Sequence, residues 1–360
     1  MKLTFRTKRR LRHIGLVTLT LAAVLAVTWL CCVIWLERYV VYSSEGAKLD
    51  FELEEAGFGG VVATPPEAKG GISIYYNEGS DAVEISKELT PINGYYLDYN
   101  SISKDMAGAF DDLEFVPAGT PIMIELKGGY GSFYYTTKLS GATQSLSVPI
   151  ASVDEFIQKL KSKGYYMIAK ISAFQDYDFG NRNVTSGLYM LSRAGLWMDP
   201  QGCFWLDPTN SNAVGWVTSV VLELKEMGFH EVMLSNFRFP DSDKYIFNGD
   251  KAAALQDAMK TLIASTASDG FTLSFGTNDP TFALPEGTRT RLYLEGVEAK
   301  DVATKAGQVT ITDPETRLVF LATTNDTRFD DYSVLRPLSA AEILEAQKAD
   351  MADSDTGEDG

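Results

Sequence analysis

Between about residue 92 and residue 337 the chain repeats one pattern: a short apolar run, an amphipathic stretch, then another short apolar run. Strand signals fall at 94–98, 121–125, 165–174, 231–237, 271–275, 291–294 and 318–322. Helical periodicity occupies 152–163, 213–227 and 251–267. Ser152 with Glu155 three residues on reads as a capping box. Gly164 and Gly228 stand where helices stop. Apolar strands alternating with amphipathic helices call for a parallel sheet with helical crossovers. Seven strands fit a (β/α)8-type TIM barrel over 91–338, short or irregular against the usual ~250 residues, with the eighth strand not evident. A doubly wound open sheet is the alternative. No Walker pattern and no G-x-G-x-x-G follows any strand, which weighs against nucleotide binding.

The barrel segment is preceded by a second strong signal. Lys2, Arg6, Lys8, Arg9, Arg10 and Arg12 form a basic leader over 1–13, and 14–36 then runs without a charge. At 1.5 Å per residue that run spans roughly 34 Å, enough to cross a hydrocarbon core of about 30 Å. Basic flanks stay in the cytoplasm, so the bulk of the chain is expected on the far side of a membrane. A cleaved signal peptide is the competing reading. Its apolar region usually ends within about 15 residues at small side chains, whereas Trp35, Leu36, Glu37 and Arg38 follow here. Segment 37–90, with Pro65-Pro66 at its centre, reads as a stalk with little regular structure beyond a short strand near 72–76. Segment 339–360 is small, polar and acidic and reads as a largely disordered tail.

Composition narrows the chemistry. Cys31 and Cys32 lie inside the apolar run and Cys203 is alone, so neither an intradomain disulfide nor a cysteine zinc site is expected. The two histidines, His13 and His230, cannot form a multi-histidine metal centre. The loop acids lack EF-hand spacing, and nothing demands a metal or an organic cofactor. A net charge of −16 argues against nucleic acid, whose binding needs clustered Lys and Arg.

Several segments together resemble one family. Trp197-Met-Asp-Pro-Gln-Gly202 leads to Trp205-Leu-Asp207-Pro208 and then Trp216. Gly228-Phe-His-Glu-Val-Met-Leu-Ser235-Asn-Phe-Arg238-Phe-Pro240 follows. Ile124-Glu125-Leu126-Lys127, Ala169-Lys170-Ile171, Phe174-Gln175-Asp176 and the strand at 271–276 agree with the same pattern. This combination resembles the bacterial "putative glycoside hydrolase" domain family, a set of extracytoplasmic (β/α)-barrels. The resemblance covers about residues 92–280. Together with the expected anchor, it implies a membrane-anchored protein that acts on or binds polysaccharide or cell-wall glycan. Where the family carries a carboxylate near the end of the fourth strand, this chain has Ser235. Glycosidases need two carboxyl groups flanking the bond, so an enzyme here must find its second acid elsewhere. The alternative implied by Ser235 is an inactive barrel that serves as a glycan-binding or cell-envelope scaffold protein. An unrelated envelope protein sharing only the barrel core is a third reading, since fold alone does not fix function.

Barrel chemistry sits at the C-terminal ends of strands, which selects the candidates. Glu125, Asp207 and Asp176 are the catalytic ones. Asp207 precedes a proline and equally suits a turn contact. Asp176 lies in a loop, and Glu125 can instead pair with Lys127 or Lys170. Asp98, Lys127, Trp197, Trp205, Ser235 and Arg238 are the candidate substrate contacts. The two tryptophans would stack on sugar rings, and Arg238 would grip a hydroxyl or carboxylate through its planar fork. Trp216, inside a helix, is expected in the core.

Overall fold

The computed structural model describes residues 40–43, 46–49 and 88–339. The expected anchor at 14–36, most of the stalk including the strand at 72–76, and the tail beyond 339 lie outside the described residues. Among the described residues no helix is long and apolar enough to cross a membrane. Within the first of two compact units, β1 (Val40–Ser43) and β2 (Gly46–Leu49) pair antiparallel. This hairpin replaces irregular stalk at those positions, because Val40-Val41-Tyr42 is a run of strand-forming residues.

The second unit holds the barrel. Its eight strands are β3 (Asn93–Leu97), β4 (Pro121–Lys127), β7 (Tyr166–Ser172), β8 (Glu231–Ser235), β9 (Thr272–Thr277), β10 (Leu292–Glu295), β11 (Leu318–Leu321) and β12 (Ser333–Pro337). They are all parallel, and pairing of β3 with both β12 and β4 closes the ring. Two two-residue strands, β5 (Ser132–Phe133) and β6 (Thr143–Gln144), hang from the end of β4.

The strand missing from the sequence reading is β12. It carries Arg336 and Pro337 and follows Asp330-Asp331, so it lacks the apolar run of its neighbours. Its place is set by partners instead. The Val334 amide donates to the Ile92 carbonyl at 2.7 Å, and the Ile92 amide donates to Ser333 Oγ at 3.0 Å.

Crossover helices are long on one side of the barrel and vestigial on the other. The long ones are α3 (Ile150–Ser162), α5 (Ser211–Met227) and α6 (Lys251–Thr266). The short ones are α1 (Tyr99–Lys104), α2 (Met106–Asp112), α4 (Tyr177–Arg182), α7 (Val302–Ala306) and α8 (Pro314–Arg317). The capping box at Ser152 does not form. Helix α3 begins two residues earlier, with Pro149 as N-cap and no side-chain cap, because proline's fixed φ already suits a helix entrance. Gly228 ends α5 as expected, in the left-handed conformation at φ 102°.

Strand alternation sorts side chains into two cores. Ile92, Met123, Ile168, Met233, Tyr293, Val319 and Leu335 fill the barrel interior. Ile124, Ala169, Val232, Leu234 and Phe320 face the helices, where Phe156, Leu160, Val221 and Leu262 meet them. At the N-terminal end of the bore, Glu231 is wholly buried. It forms an ion pair with Arg291 and accepts from Tyr166 Oη (3.0 Å), Ser274 Oγ (2.5 Å) and Tyr293 Oη (2.8 Å). Every lone-pair direction of that carboxylate is used, which is the condition for a buried charge to persist. His230 sits beside it as a structural residue: its Nδ1 accepts the Met167 amide, and its ring stacks on Tyr166.

Candidate active site at the C-terminal mouth of the barrel

The same alternation decides what points into the opposite, C-terminal mouth. Two residues past interior Met123 comes Glu125, two past Ile168 comes Lys170, and two past Tyr293 comes Glu295. Glu125 and Lys170 are register partners on adjacent strands. Lys170 Nζ lies 3.9 Å from Glu125 Oε2 and 3.2 Å from Glu295 Oε1. All three side chains keep some access to solvent: 17 % for Glu125, 24 % for Lys170 and 29 % for Glu295. Gly276 makes room for the interior Met233 side chain, whose methyl a β-carbon there would overlap.

The mouth is electrostatically uneven. Burial raises the Glu125 carboxyl above its ordinary value, and the Lys170 ammonium and the Tyr99 backbone amide pull it only part of the way back. Burial works against the charge of Lys170, but Glu295 and then Glu125 outweigh it and hold the ammonium above its ordinary value. Tyr96, on β3, is raised by burial and by Asp98. The arrangement thus offers one carboxyl in a low-dielectric position, a second acid close to a fixed cation, and an opening to solvent.

The sequence candidates divide. Glu125 stands in the mouth, paired with Lys170 rather than Lys127. Asp98 stands at its edge as the N-cap of α1, accepting from the Ser101 amide and hydroxyl, both at 2.9 Å. Burial pushes the Asp98 carboxyl up, but those two hydrogen bonds prevail and hold it below its ordinary value.

Asp176 and Lys127 do not suit the roles expected of them. They form a buried ion pair at 2.8 Å, and Lys127 Nζ also donates to the Ser172 carbonyl at 2.8 Å. Asp176 caps α4 through the Phe179 amide and accepts from Trp216 Nε1 at 3.0 Å. Both groups are spent on holding the loop after β7 against β4 and α5. Gly131, at φ 79°, lets the Asp176 carboxylate come this close, because a β-carbon there would overlap it. Asp207 forms the turn contact, accepting from the Thr209 amide (2.8 Å) and hydroxyl (2.7 Å).

Nor is Trp205 a sugar platform: it is 2 % exposed, and its Nε1 donates to Asp199 Oδ2 at 2.8 Å. Trp197 is half-buried against Tyr245. Arg238 lies 4.9 Å over the Trp205 ring and donates to the Phe239 carbonyl at 3.2 Å, so its cation is held by stacking. Ser235 is inward-facing but buried, donating to the Ile171 carbonyl at 3.1 Å.

Three mouth residues were missed as candidates. Glu295 had a legible signal: it ends an apolar strand and precedes a glycine. Tyr99 had none. It is 36 % exposed, packs 5.3 Å from Tyr134 and donates its amide to Glu125, and only the fold brings it there. Asp199, inside the tryptophan-rich motif, is the third. It orients Gln175 Nε2 (2.6 Å) and Trp205, and Gln175 Oε1 in turn accepts from Asn236 Nδ2 at 3.0 Å. Asn236 adopts φ 52°, a conformation asparagine tolerates, just beyond β8. Among the described residues no group of three His, Cys, Asp or Glu side chains is arranged to hold a metal ion.

Residues 119–269 match the family described as "Putative glycosyl hydrolase domain". That stretch includes Glu125, Lys170, Asp199, Ser235 and Arg238; Asp98 and Glu295 lie outside it. No curated protein matches. Among solved structures, a hypothetical protein from Ruminiclostridium thermocellum aligns at 18 % identity over 51 % of this chain and 96 % of that one, with TM-score 0.44. The PgaB (BpsB) glycoside hydrolase domain from Bordetella bronchiseptica aligns at 10 % identity over 72 % and 98 %, with TM-score 0.49. The GH36 α-galactosidase AgaA from Geobacillus stearothermophilus aligns at 7 % over 73 % of this chain and 41 % of its own, with TM-score 0.49.

Proposed function

We propose, from the match of residues 119–269 to the family described as "Putative glycosyl hydrolase domain", that this barrel hydrolyses a polysaccharide with Glu125 and Glu295 as its carboxyl pair. The observation that carries the reading is the shared contact with Lys170. Two acids on different strands reach one ammonium, at 3.9 Å and 3.2 Å. Their nearest oxygens are therefore no farther apart than those two spans laid end to end. This lies inside the outer limit of about 9.5 Å for glycosidase carboxyl pairs. Glu295 would supply the second acid whose usual strand position is occupied by Ser235. Tyr99, exposed beside Glu125, has the amphipathic ring suited to a sugar face.

We place the enzyme on the outer side of a membrane, held by segment 14–36, on the strength of the basic leader and the uncharged run. Protease treatment of intact cells should then remove the barrel and leave a short membrane-bound stub.

The decisive assay measures reducing ends released by the full chain from a panel of cell-wall and plant polysaccharides, with binding scored in parallel. Release that falls about 10²–10⁴-fold in both Glu125→Gln and Glu295→Gln establishes the pair. A second reading rests on Ser235 and on the Lys170 cation, whose charge opposes an oxocarbenium-like centre. It makes the barrel a non-hydrolytic glycan-binding protein. Binding without release, weakened by Tyr99→Ala and unchanged in Glu295→Gln, would select it.

A further inference from the structure

We propose that Lys170 divides the labour between the two carboxyls: its ammonium is committed to Glu295, and Glu125 is left as the proton donor. The inference rests on the hydrolase reading for its chemical meaning, but the division itself is a property of the resting mouth.

One cation faces two acids, and the geometry is unequal. Lys170 is nearer Glu295 by the difference between 3.2 Å and 3.9 Å. Glu125 is the less exposed carboxyl of the two, at 17 % against 29 %. The Tyr99 amide works the other way and favours the Glu125 carboxylate, but it carries no full charge. The groups facing Glu125 come from every neighbouring element. Asp98 comes from the end of β3, Tyr99 from α1, Tyr134 from the segment after β5, Lys170 from β7 and Glu295 from β10. Asp98 and Glu295 are like charges that favour a proton on Glu125, and only Lys170 opposes them with a full positive charge. The other nearby cation, Lys127, is bound to Asp176. With one ammonium for two acids, whichever carboxyl holds it more loosely binds a proton more readily.

In the reaction, the Glu125 proton passes to the departing glycosidic oxygen as its bond to the anomeric carbon breaks. Water supplies the hydroxyl that forms the new bond, and its remaining proton returns to the carboxyl pair. The pair therefore ends with the one proton it began with. Lys170 touches neither bond and acts as a positioning residue, through Glu295.

The test is titration of Glu125 by carboxyl-carbon NMR on the full chain labelled at glutamate, with the signal assigned by its loss in Glu125→Gln. Lys170→Met should raise the Glu125 midpoint by about one pH unit or more, since it removes an opposite charge about 4 Å away. Glu295→Gln should lower it, because the ammonium is released to Glu125 and a like charge is lost. Lys170→Arg, which keeps the charge, should leave it near the wild-type value. If Lys170→Met does not fold, the fall expected in Glu295→Gln against the unchanged midpoint expected in Lys170→Arg still decides. A Glu125 midpoint that does not fall in Glu295→Gln, or does not rise in Lys170→Met, overturns the proposal. If the shifts appear and no polysaccharide is cut, the hydrolase reading fails and the division of charge stands. If polysaccharide is cut and the shifts are missing, the reverse holds.

Discussion

At the scale of single residues, the mouth and the opposite end of the bore treat a carboxylate in contrasting ways. Glu231 has a partner for every direction and serves the fold. Glu125 has a cation 3.9 Å away, one backbone amide and a path to water. Its carboxyl is raised above its ordinary value of 4.5, so the folded chain binds that proton more tightly than the unfolded chain does. The resulting stabilisation is complete below pH 4.5 and disappears as pH rises through the folded value. Glu125→Gln cannot ionise. It should therefore be more stable than wild type in urea unfolding at pH 7–8, with the advantage vanishing near pH 4. An unchanged difference between the two pH values would show that burial of Glu125 costs the fold nothing.

Residue identity alone told which side chains could do acid chemistry; it could not tell which were already engaged. Asp176 and Glu125 look alike in the sequence, each beside the end of an apolar run. They differ because Lys127 reaches across to the loop after β7, past a register shift between Glu125 and Lys127. A bulge of that kind re-aims one side chain without any compositional trace. Trp205 was legible as an aromatic at the mouth, but its indole N–H found Asp199 and its ring found Arg238, so it became a floor.

At the scale of elements, the ion pair of Lys127 and Asp176 is what fastens the loop after β7. Asp176 belongs to four contacts at once: Lys127, the Phe179 amide, Trp216 and the packing of Gly131. Asp176→Ala leaves a buried ammonium without its counter-charge. The expected loss is about 3–5 kcal/mol, with residual stability recovered in part by Lys127→Met in the same chain. Urea unfolding of the two single variants and the double variant measures both. A double-variant loss equal to the sum of the two single losses would mean that the pair is not coupled. Helix α5 offers a smaller check. Asn210 accepts from the amides of Asn212 (3.0 Å) and Ala213 (3.2 Å), and Asn210→Ala should cost about 0.5–2 kcal/mol.

Elements were legible in proportion to how local their causes are. Helices α5 and α6 follow from apolar periodicity with a cap residue in front, and seven of the barrel strands from short apolar runs bounded by turns. The start of α3 was misplaced because a proline, rather than the serine two residues into the helix, sets the entrance. Strand β12 was not legible, since its place comes from filling the last gap between β11 and β3.

At the scale of the whole molecule, the buried network around Glu231 spans β7, β8, β9 and β10, and through Arg291 reaches the carbonyls of Thr90 and Thr316. It ties the N-terminal end of the barrel across its bore. Glu231→Gln removes the charge that pairs with Arg291 while leaving that guanidinium almost wholly buried. We expect a loss of about 3–5 kcal/mol of stability with the mouth chemistry intact, so that activity per folded molecule is preserved. Loss of activity without loss of stability would place Glu231 in the chemistry instead.

The sequence by itself determined the class of fold, the expectation of an anchor and the end of the barrel where chemistry should sit. Those follow from periodicity, charge and chain direction, which are local or additive properties of the chain. Only the tertiary structure decided that Glu125 meets Lys170 and Glu295, that Asp176 and Lys127 are taken by one another, and that the ring closes through β12. Each is a contact between positions far apart in the chain, set by strand register and by competition among several possible partners. Local sequence carries no record of which partner wins.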